Sequence, residues 1–140
     1  MKVVLASNNQ GKIKEFQKIL SKVGINITPQ KEFYVDSADE TGLTFVENAI
    51  LKARHASRQT TLPAIADDSG LQVDFLKGAP GIYSARFAGE KASDEENNDY
   101  LLQRLATVPK PLRTARYQAV IVFLKHYADP KPIICEAHWE

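Results

Sequence analysis

Two adjacent carboxylates, a hydroxyl and a glycine follow a short apolar run near the middle of the chain. The apolar run covers 62–66, and the polar residues after it are Asp67, Asp68, Ser69 and Gly70. In open α/β sheets, ligands bind just beyond the carboxyl ends of strands, so this segment is a candidate for chemistry. Two neighbouring ionised aspartates are costly to bury unless a cation or a donor compensates them. Because Asp, Ser and Gly also dominate turns, an ordinary turn between two strands stays open as the alternative.

A second polar segment joins a predicted strand to a predicted helix at the start of the chain. The apolar run 2–6 predicts the strand, and apolar residues at helical spacing from Ile13 to Val23 predict the helix. The segment between them consists of Ser7, Asn8, Asn9, Gln10, Gly11 and Lys12. Free backbone N–H groups at a helix start bind anions, and Lys12 adds a point charge suited to phosphate. The segment is not a Walker loop, since it has one glycine and Ile13 follows the lysine. The alternative is a capped helix start with a solvated lysine.

After the first helix, the sequence predicts a short strand at 25–27, an acidic loop and a second helix. The residues from Val35 to Gly42 are polar, acidic and without a period, and acids such as Asp36 in such a loop are usually solvated. Thr44 and Glu47 then form a capping box, which predicts a helix to about Arg58. Glu47 thereby has a structural role. Two polar residues of this helix, Asn48 and Lys52, have no such explanation.

The second half of the chain adds strands and one more helix. The pattern predicts a half-buried strand at 71–75, a fixed irregular loop at 78–89, and a helix that begins with the capping box Ser93–Glu96. The strongest strand pattern is 114–124, and 133–139 would return antiparallel to it. These alternating elements predict an α/β fold with a mixed, strongly twisted central sheet flanked by helices.

Composition excludes several classes of protein. The chain has 140 residues, which suits a single domain, and its net charge of +1 gives no electrostatic case for binding nucleic acid. No apolar run approaches the roughly 20 residues of a membrane span, and no signal-peptide pattern opens the chain. The single cysteine, Cys135, cannot form an internal disulfide, which fits a cytoplasmic protein. Its apolar surroundings in sequence predict a buried structural thiol.

Four segments occur here in the order seen in one family. They are Ser7-Asn8-Asn9-x-Gly11-Lys12-x-x-Glu15, Thr44-x-x-Glu47-Asn48-Ala49-x-x-Lys52-Ala53, Ala66-Asp67-Asp68-Ser69-Gly70-Leu71 and Ala79-Pro80-Gly81-Ile82-Tyr83-Ser84-Ala85-Arg86. On these segments the chain resembles the inosine/xanthosine triphosphate pyrophosphatases, enzymes that remove deaminated purine nucleotides. The resemblance covers essentially all 140 residues.

The resemblance implies a fold of two lobes with a cleft and a role for each polar segment. Residues Ser7 to Lys12 would bind the triphosphate, with Lys12 also contributing to catalysis, and Ser69 would contact substrate. Glu40 and Asp68 would bind Mg²⁺, and Asp68 would also be the base that activates water. The products would be a nucleoside monophosphate and pyrophosphate. The resemblance further implies a homodimer. In a regular strand Asp67 and Asp68 point to opposite faces, so one of them would hold the ion. The other would then act as the base or support the site.

The family also carries a Phe-Gly-Tyr-Asp segment and a late Ser-His-Arg segment that help to recognise the purine. Neither occurs in these 140 residues. We therefore expect residues 1–140 to be one pyrophosphatase domain that lacks its C-terminal part. The alternatives are a nucleotide pyrophosphatase for other modified bases, pyrimidines included, and a nucleotide-binding or assembly fragment without catalysis.

Overall fold

The structure is a computed structural model that describes residues 1–140. The three α-helices are α1 (Gln10–Leu20), α2 (Phe45–Thr60) and α3 (Asp94–Arg104). The five strands are β1 (Lys2–Leu5), β2 (Asn26–Pro29), β3 (Ala64–Val73), β4 (Ala115–Leu124) and β5 (Ile133–Trp139). Five short 3-10 turns lie between these elements. None of the helices combines the length and the apolar composition that crossing a membrane requires.

The strands form one mixed sheet in the order β2-β1-β3-β4-β5. Strand β1 is parallel to both of its neighbours, with Val3 opposite Ile27 and Leu5 opposite Ile65. Strands β4 and β5 are neighbours joined by only eight residues, so they run antiparallel, since parallel neighbours need a longer crossover. The predicted α/β class with a mixed sheet and flanking helices is confirmed.

The chain divides into two compact units. The first comprises Met1–Asp68 and Val120–Cys135. Its core forms where β1, α1, β2 and β3 pack together, because each contributes apolar side chains from one face. The buried members are Val3, Leu5, Ile13, Ile27 and Ile65. This packing fixes α1 against β1 and thereby fixes the polar segment that joins them.

The second unit comprises Ser69–Ala119 and Glu136–Glu140. Its smaller core contains Val73, Leu105 and Val108. The predicted irregular loop at 78–89 is held by the buried side chain of Asn97, which accepts a hydrogen bond from the Ala88 N–H at 2.8 Å and donates to the Ala85 carbonyl at 3.0 Å. The predicted capping box of Ser93 and Glu96 is present at the start of α3.

Three sequence predictions are wrong in detail. Strand β3 does not end at Ala66 but continues through Asp67 and Asp68 to Val73, so no turn separates two strands there. Helix α1 begins at Gln10, inside the segment predicted as a loop, because Asn9 caps it. Cys135 is exposed rather than buried, since every residue of β5 is exposed.

Gly70 is required in β3 by a close approach of backbone. A Cβ atom at this position would lie 2.2 Å from the Gly81 carbonyl oxygen and 2.7 Å from the Ser84 hydroxyl. We expect Gly70→Ala to lower the free energy of unfolding by about 3 kcal/mol, because a backbone oxygen cannot rotate away. Gly24→Ala is the control: Gly24 has open space but a φ of 77°, which alone costs about 1 kcal/mol. Urea unfolding of both variants measures the difference, and equal losses would contradict the steric explanation.

Asp129 anchors the connection between β4 and β5. Its carboxylate accepts the backbone N–H groups of Lys125 and Lys131, both at 2.9 Å, and these bonds lower the pKa of Asp129 below its ordinary 3.8. A lowered pKa adds stability above the unfolded value and loses it as the pH falls towards the folded value. We expect Asp129→Asn to reduce the melting temperature at pH 7 but to matter little near pH 3. Melting curves at both values test this, with the exposed Asp99→Asn as control.

Candidate active site

The parallel pairing of β1 with β3 brings the two polar segments to the same end of the sheet. Because Leu5 lies opposite Ile65, the residues that follow Leu5 leave the sheet where β3 reaches Asp67. The Ala6 N–H donates to the Ile65 carbonyl at 2.9 Å and carries the pairing one step beyond β1. The topology therefore places the Ser7–Lys12 segment, which follows the carboxyl end of β1, beside the two aspartates in the middle of β3.

Side-chain hydrogen bonds order the Ser7–Lys12 segment. The Ser7 hydroxyl accepts the Asn9 N–H at 3.1 Å, and the Asn9 side chain caps α1 by accepting the Lys12 N–H at 3.1 Å. Asn8 donates through its amide to the Ser37 hydroxyl at 3.1 Å. Gln10 and Gly11 are exposed in the first turn, and a Cβ at Gly11 would lie 3.3 Å from the Asn9 side-chain oxygen. The segment therefore presents a helix N-terminus, whose positive end favours an anion.

A groove of about 410 Å³ lies along the outer side of this segment. Asn8 and Gln10 contribute to its wall, together with Lys14, Pro29 and Lys31. None of Glu40, Asp67 and Asp68 lines it. The groove therefore adjoins the Ser7–Lys12 segment, but the three carboxylates named above lie outside it.

Lys12 forms a close ion pair with Asp67. Its Nζ lies 2.6 Å from one carboxylate oxygen of Asp67. Asp67 is buried, and its other carboxylate oxygen has no hydrogen-bond partner. Burial of an ionised carboxylate requires such a compensating cation, so Lys12 offsets the cost of placing Asp67 at this point. About a third of the Lys12 side chain remains exposed, which leaves its ammonium open to a ligand.

Lys52 lies near the two residues predicted to bind metal. Its Nζ is 3.3 Å from Glu40 and 3.9 Å from Asp68. Glu40 comes from the acidic loop, Lys52 from α2 and Asp68 from β3, so three separate elements meet here. Asp67 contacts a lysine of α1 whereas Asp68 contacts a lysine of α2, in keeping with the predicted opposite directions of adjacent strand residues.

Ser69 belongs to the second unit. Its hydroxyl is 3.0 Å from the hydroxyl of Tyr117 on β4, and either group can donate. Tyr117 is half exposed. Ser69 is only partly buried as well, so its hydroxyl is held by a partner and still reachable.

Most of the residues predicted for the site therefore come together, and the sequence interpretation missed their partners. Glu40 and Asp68 share one ammonium group, and Lys12 reaches the neighbouring Asp67. The helix pattern gave no role for Lys52. Its presence in the Thr44–Ala53 segment shared with the family was the one indication that it belongs to the site. Tyr117 lies in the strand predicted at 114–124, and nothing in that pattern indicated its contact with Ser69. His55, on α2, contacts the Asp36 carbonyl at 2.9 Å.

The donor set suits Mg²⁺. Mg²⁺ prefers oxygen ligands and is usually held by one or two carboxylates plus substrate phosphates. Glu40 and Asp68 supply two carboxylates, and the Lys52 ammonium lies 3.3 Å from the first and 3.9 Å from the second. The two carboxylates together therefore attract a cation. The chain has no cluster of three or more His, Cys, Asp and Glu side chains suited to a metal.

The charges around the site are unequal. Three carboxylates, Glu40, Asp67 and Asp68, lie near two ammonium groups, Lys12 and Lys52. A strongly anionic ligand would meet a net negative charge here unless a further cation accompanied it. The arrangement therefore favours an anion that arrives with a divalent cation over an anion alone.

The fold and this site define an α/β protein with an open helix N-terminus beside two buried carboxylates. The Ham1 family model matches residues 3–140. The chain is 59% identical over 139 residues to the dITP/XTP pyrophosphatase of Vibrio parahaemolyticus, which covers 99% of this chain and 70% of that protein. It is 58% identical over 138 residues to the dITP/XTP pyrophosphatase of Salmonella typhimurium, with the same coverage.

A solved structure agrees with these matches. The HAM1 protein from Coxiella burnetii superposes with a TM-score of 0.93 at 46% sequence identity, covering 99% of this chain and 71% of that one. The chain belongs to the Ham1 family.

Proposed function

We propose that this chain hydrolyses non-standard purine nucleoside triphosphates such as dITP, XTP and ITP to the monophosphate and pyrophosphate. The observation that carries the proposal is the pairing of Lys12 with Asp67 and of Lys52 with Glu40 and Asp68, beside the carboxyl end of β1, in a chain 59% identical to a dITP/XTP pyrophosphatase. We further propose that residues 1–140 act as one pyrophosphatase domain, that the protein is a cytoplasmic homodimer, and that it requires Mg²⁺. The domain, the homodimer and Mg²⁺ rest on the family resemblance, and the cytoplasmic location rests on the single cysteine.

The chain's own groups divide the reaction between them. The N-terminus of α1 and the Lys12 ammonium bind the phosphate chain and hold it against β3. Asp68 accepts a proton from a water molecule, whose oxygen then forms a bond to the α-phosphorus. The bond from the α-phosphorus to the bridging oxygen breaks, and that oxygen leaves with the pyrophosphate. Ser69 holds a further polar group of the substrate through its hydroxyl.

Glu40 and Asp68 would hold the Mg²⁺ ion. When bound, it neutralises charge on the phosphate oxygens and so favours attack on phosphorus. Lys52 sits between the two carboxylates and lowers their mutual repulsion. Asp67 orients Lys12.

One assay tests the function against its alternatives. Pyrophosphate release is measured from dITP, dGTP and dTTP at matched concentrations, with Mg²⁺ and with a chelator. We expect hydrolysis of dITP that depends on Mg²⁺ and exceeds that of the other two. Preference for dTTP would favour a pyrophosphatase with another base specificity. Nucleotide binding without pyrophosphate release would favour the non-catalytic alternative.

A further inference from the structure

Asn48 connects helix α2 to the loop that carries Glu40. It lies in the first turn of α2 and is 1% exposed. Its side-chain oxygen accepts the Gly42 N–H at 2.8 Å. The neighbouring Glu47 carboxylate accepts the Leu43 N–H at 3.0 Å. Two successive backbone N–H groups of the loop are therefore held by side chains of the helix.

Gly42 allows this loop to pack directly on the helix. A Cβ atom at Gly42 would lie 2.6 Å from the Cβ of Glu47 and 2.8 Å from the side-chain oxygen of Asn48. Both distances are shorter than real Cβ contacts, so any larger residue would push the loop away. The contact between Gly42 and Asn48 thus depends on both partners.

The same face of α2 also holds the Glu40 side chain. Lys52 is four residues after Asn48, which places the two on one side of the helix. Asn48 fixes the backbone two residues beyond Glu40, and the Lys52 ammonium lies 3.3 Å from the Glu40 carboxylate. Because the acidic loop has no helix or strand of its own at 37–43, these contacts set where its carboxylate stands.

We propose that Asn48 is a positioning residue that places Glu40 for divalent-cation binding, an inference that rests on the proposed metal role of Glu40. Residues that orient metal ligands without touching the metal typically change metal affinity by about 10–100-fold when removed. The simpler explanation is that Asn48 only stabilises the start of α2. The two differ in whether loss of Asn48 changes cation affinity in a folded chain.

The test measures Mn²⁺ binding by electron paramagnetic resonance, without nucleotide and therefore without turnover. The variants are Asn48→Ala and Gly42→Ala, which break the same contact from opposite sides. Ser57→Ala is the matched control, because Ser57 is also a buried polar residue of α2 and donates to the Leu62 carbonyl at 2.7 Å near the other end of the helix. Melting temperatures confirm that each variant is folded.

We expect both loop variants to raise the Mn²⁺ dissociation constant by about ten-fold. The control should lower the melting temperature without changing Mn²⁺ binding. Mn²⁺ binding within two-fold of wild type in a folded Asn48→Ala or Gly42→Ala chain would overturn the inference. Glu40→Gln separates this failure from failure of the metal site: wild-type affinity in Glu40→Gln, or no Mn²⁺ binding by the wild-type chain, would overturn the metal role itself.

Discussion

Asp68→Asn should retain the fold and lose most pyrophosphate release. The substitution is nearly isosteric, and Asp68 is buried within the regular strand β3, so we expect little change in structure. An amide cannot accept a proton from water at neutral pH, and removal of a general base lowers turnover by about 10²–10⁴-fold. Weaker cation binding adds to this loss, because Asp68 is also a proposed metal ligand. The measurement is kcat for dITP at saturating Mg²⁺.

The control for this prediction is a carboxylate outside the site. Asp36 is exposed in the same acidic stretch as Glu40, and we expect Asp36→Asn to keep wild-type turnover. Circular dichroism and melting curves establish that the Asp68 variant is folded. If the folded Asp68→Asn chain kept more than a tenth of wild-type turnover, Asp68 would have no part in the mechanism.

The structure around Asp68 also explains why the sequence indicated a strand end at Ala66 and left a turn open as an alternative. Asp67, Asp68, Ser69 and Gly70 are turn-forming residues, yet they lie inside a ten-residue strand. Gly70 serves close packing against the Gly81 carbonyl, a use of glycine in strands that sequence alone does not distinguish from a turn. The two aspartates are tolerated in a buried strand because lysines from α1 and α2 reach them. Because these lysines are distant in sequence from the aspartates, their neutralising effect cannot be recognised from the hydrophobic pattern of the strand.

The position of the Ser7–Lys12 segment was predicted more accurately than the helix boundary inside it. Position, polarity and Lys12 followed from the strand and helix patterns on either side. The start of α1 at Gln10 was missed, although Asn is among the strongest N-cap residues and Asn9 lies at the right place. The shift matters, because Lys12 lies in the first helical turn, where the helix dipole and the ammonium group would act together on the phosphate of the proposed substrate.

Asn48 and Lys52 illustrate what the sequence could not supply. Their helix was predicted within two residues at its C-terminal end, and their position on it was therefore available. Their partners, Gly42 and Glu40, lie in a loop without a hydrophobic period, so nothing in the pattern indicated that the loop folds back on the helix. Loop placement depends on tertiary contacts, and here those contacts determine the proposed metal site.

The last prediction concerns Lys12, which has two roles that can be separated. It binds phosphate in the proposed reaction, and it compensates the buried Asp67 at 2.6 Å. Loss of one charge-assisted contact to phosphate costs about 1.5–3 kcal/mol, so Lys12→Ala should lower kcat/KM by about 10–100-fold for dITP, XTP and dGTP alike. The factor should shrink as salt rises, because the ammonium is partly exposed. Kinetics at two salt concentrations measure both effects, and a changed ranking of the bases would contradict the phosphate assignment.

Stability separates the second role from the first. Lys12→Ala leaves the buried Asp67 carboxylate without its cation, which should lower the free energy of unfolding by about 1–2 kcal/mol, less than for a fully buried pair because Lys12 is partly exposed. Adding Asp67→Asn removes the uncompensated charge, so the double variant should regain most of that stability. It should not regain kcat/KM, because the ammonium that binds phosphate is still missing. Recovery of activity together with stability would mean that Lys12 acts only through the fold and does not contact the substrate.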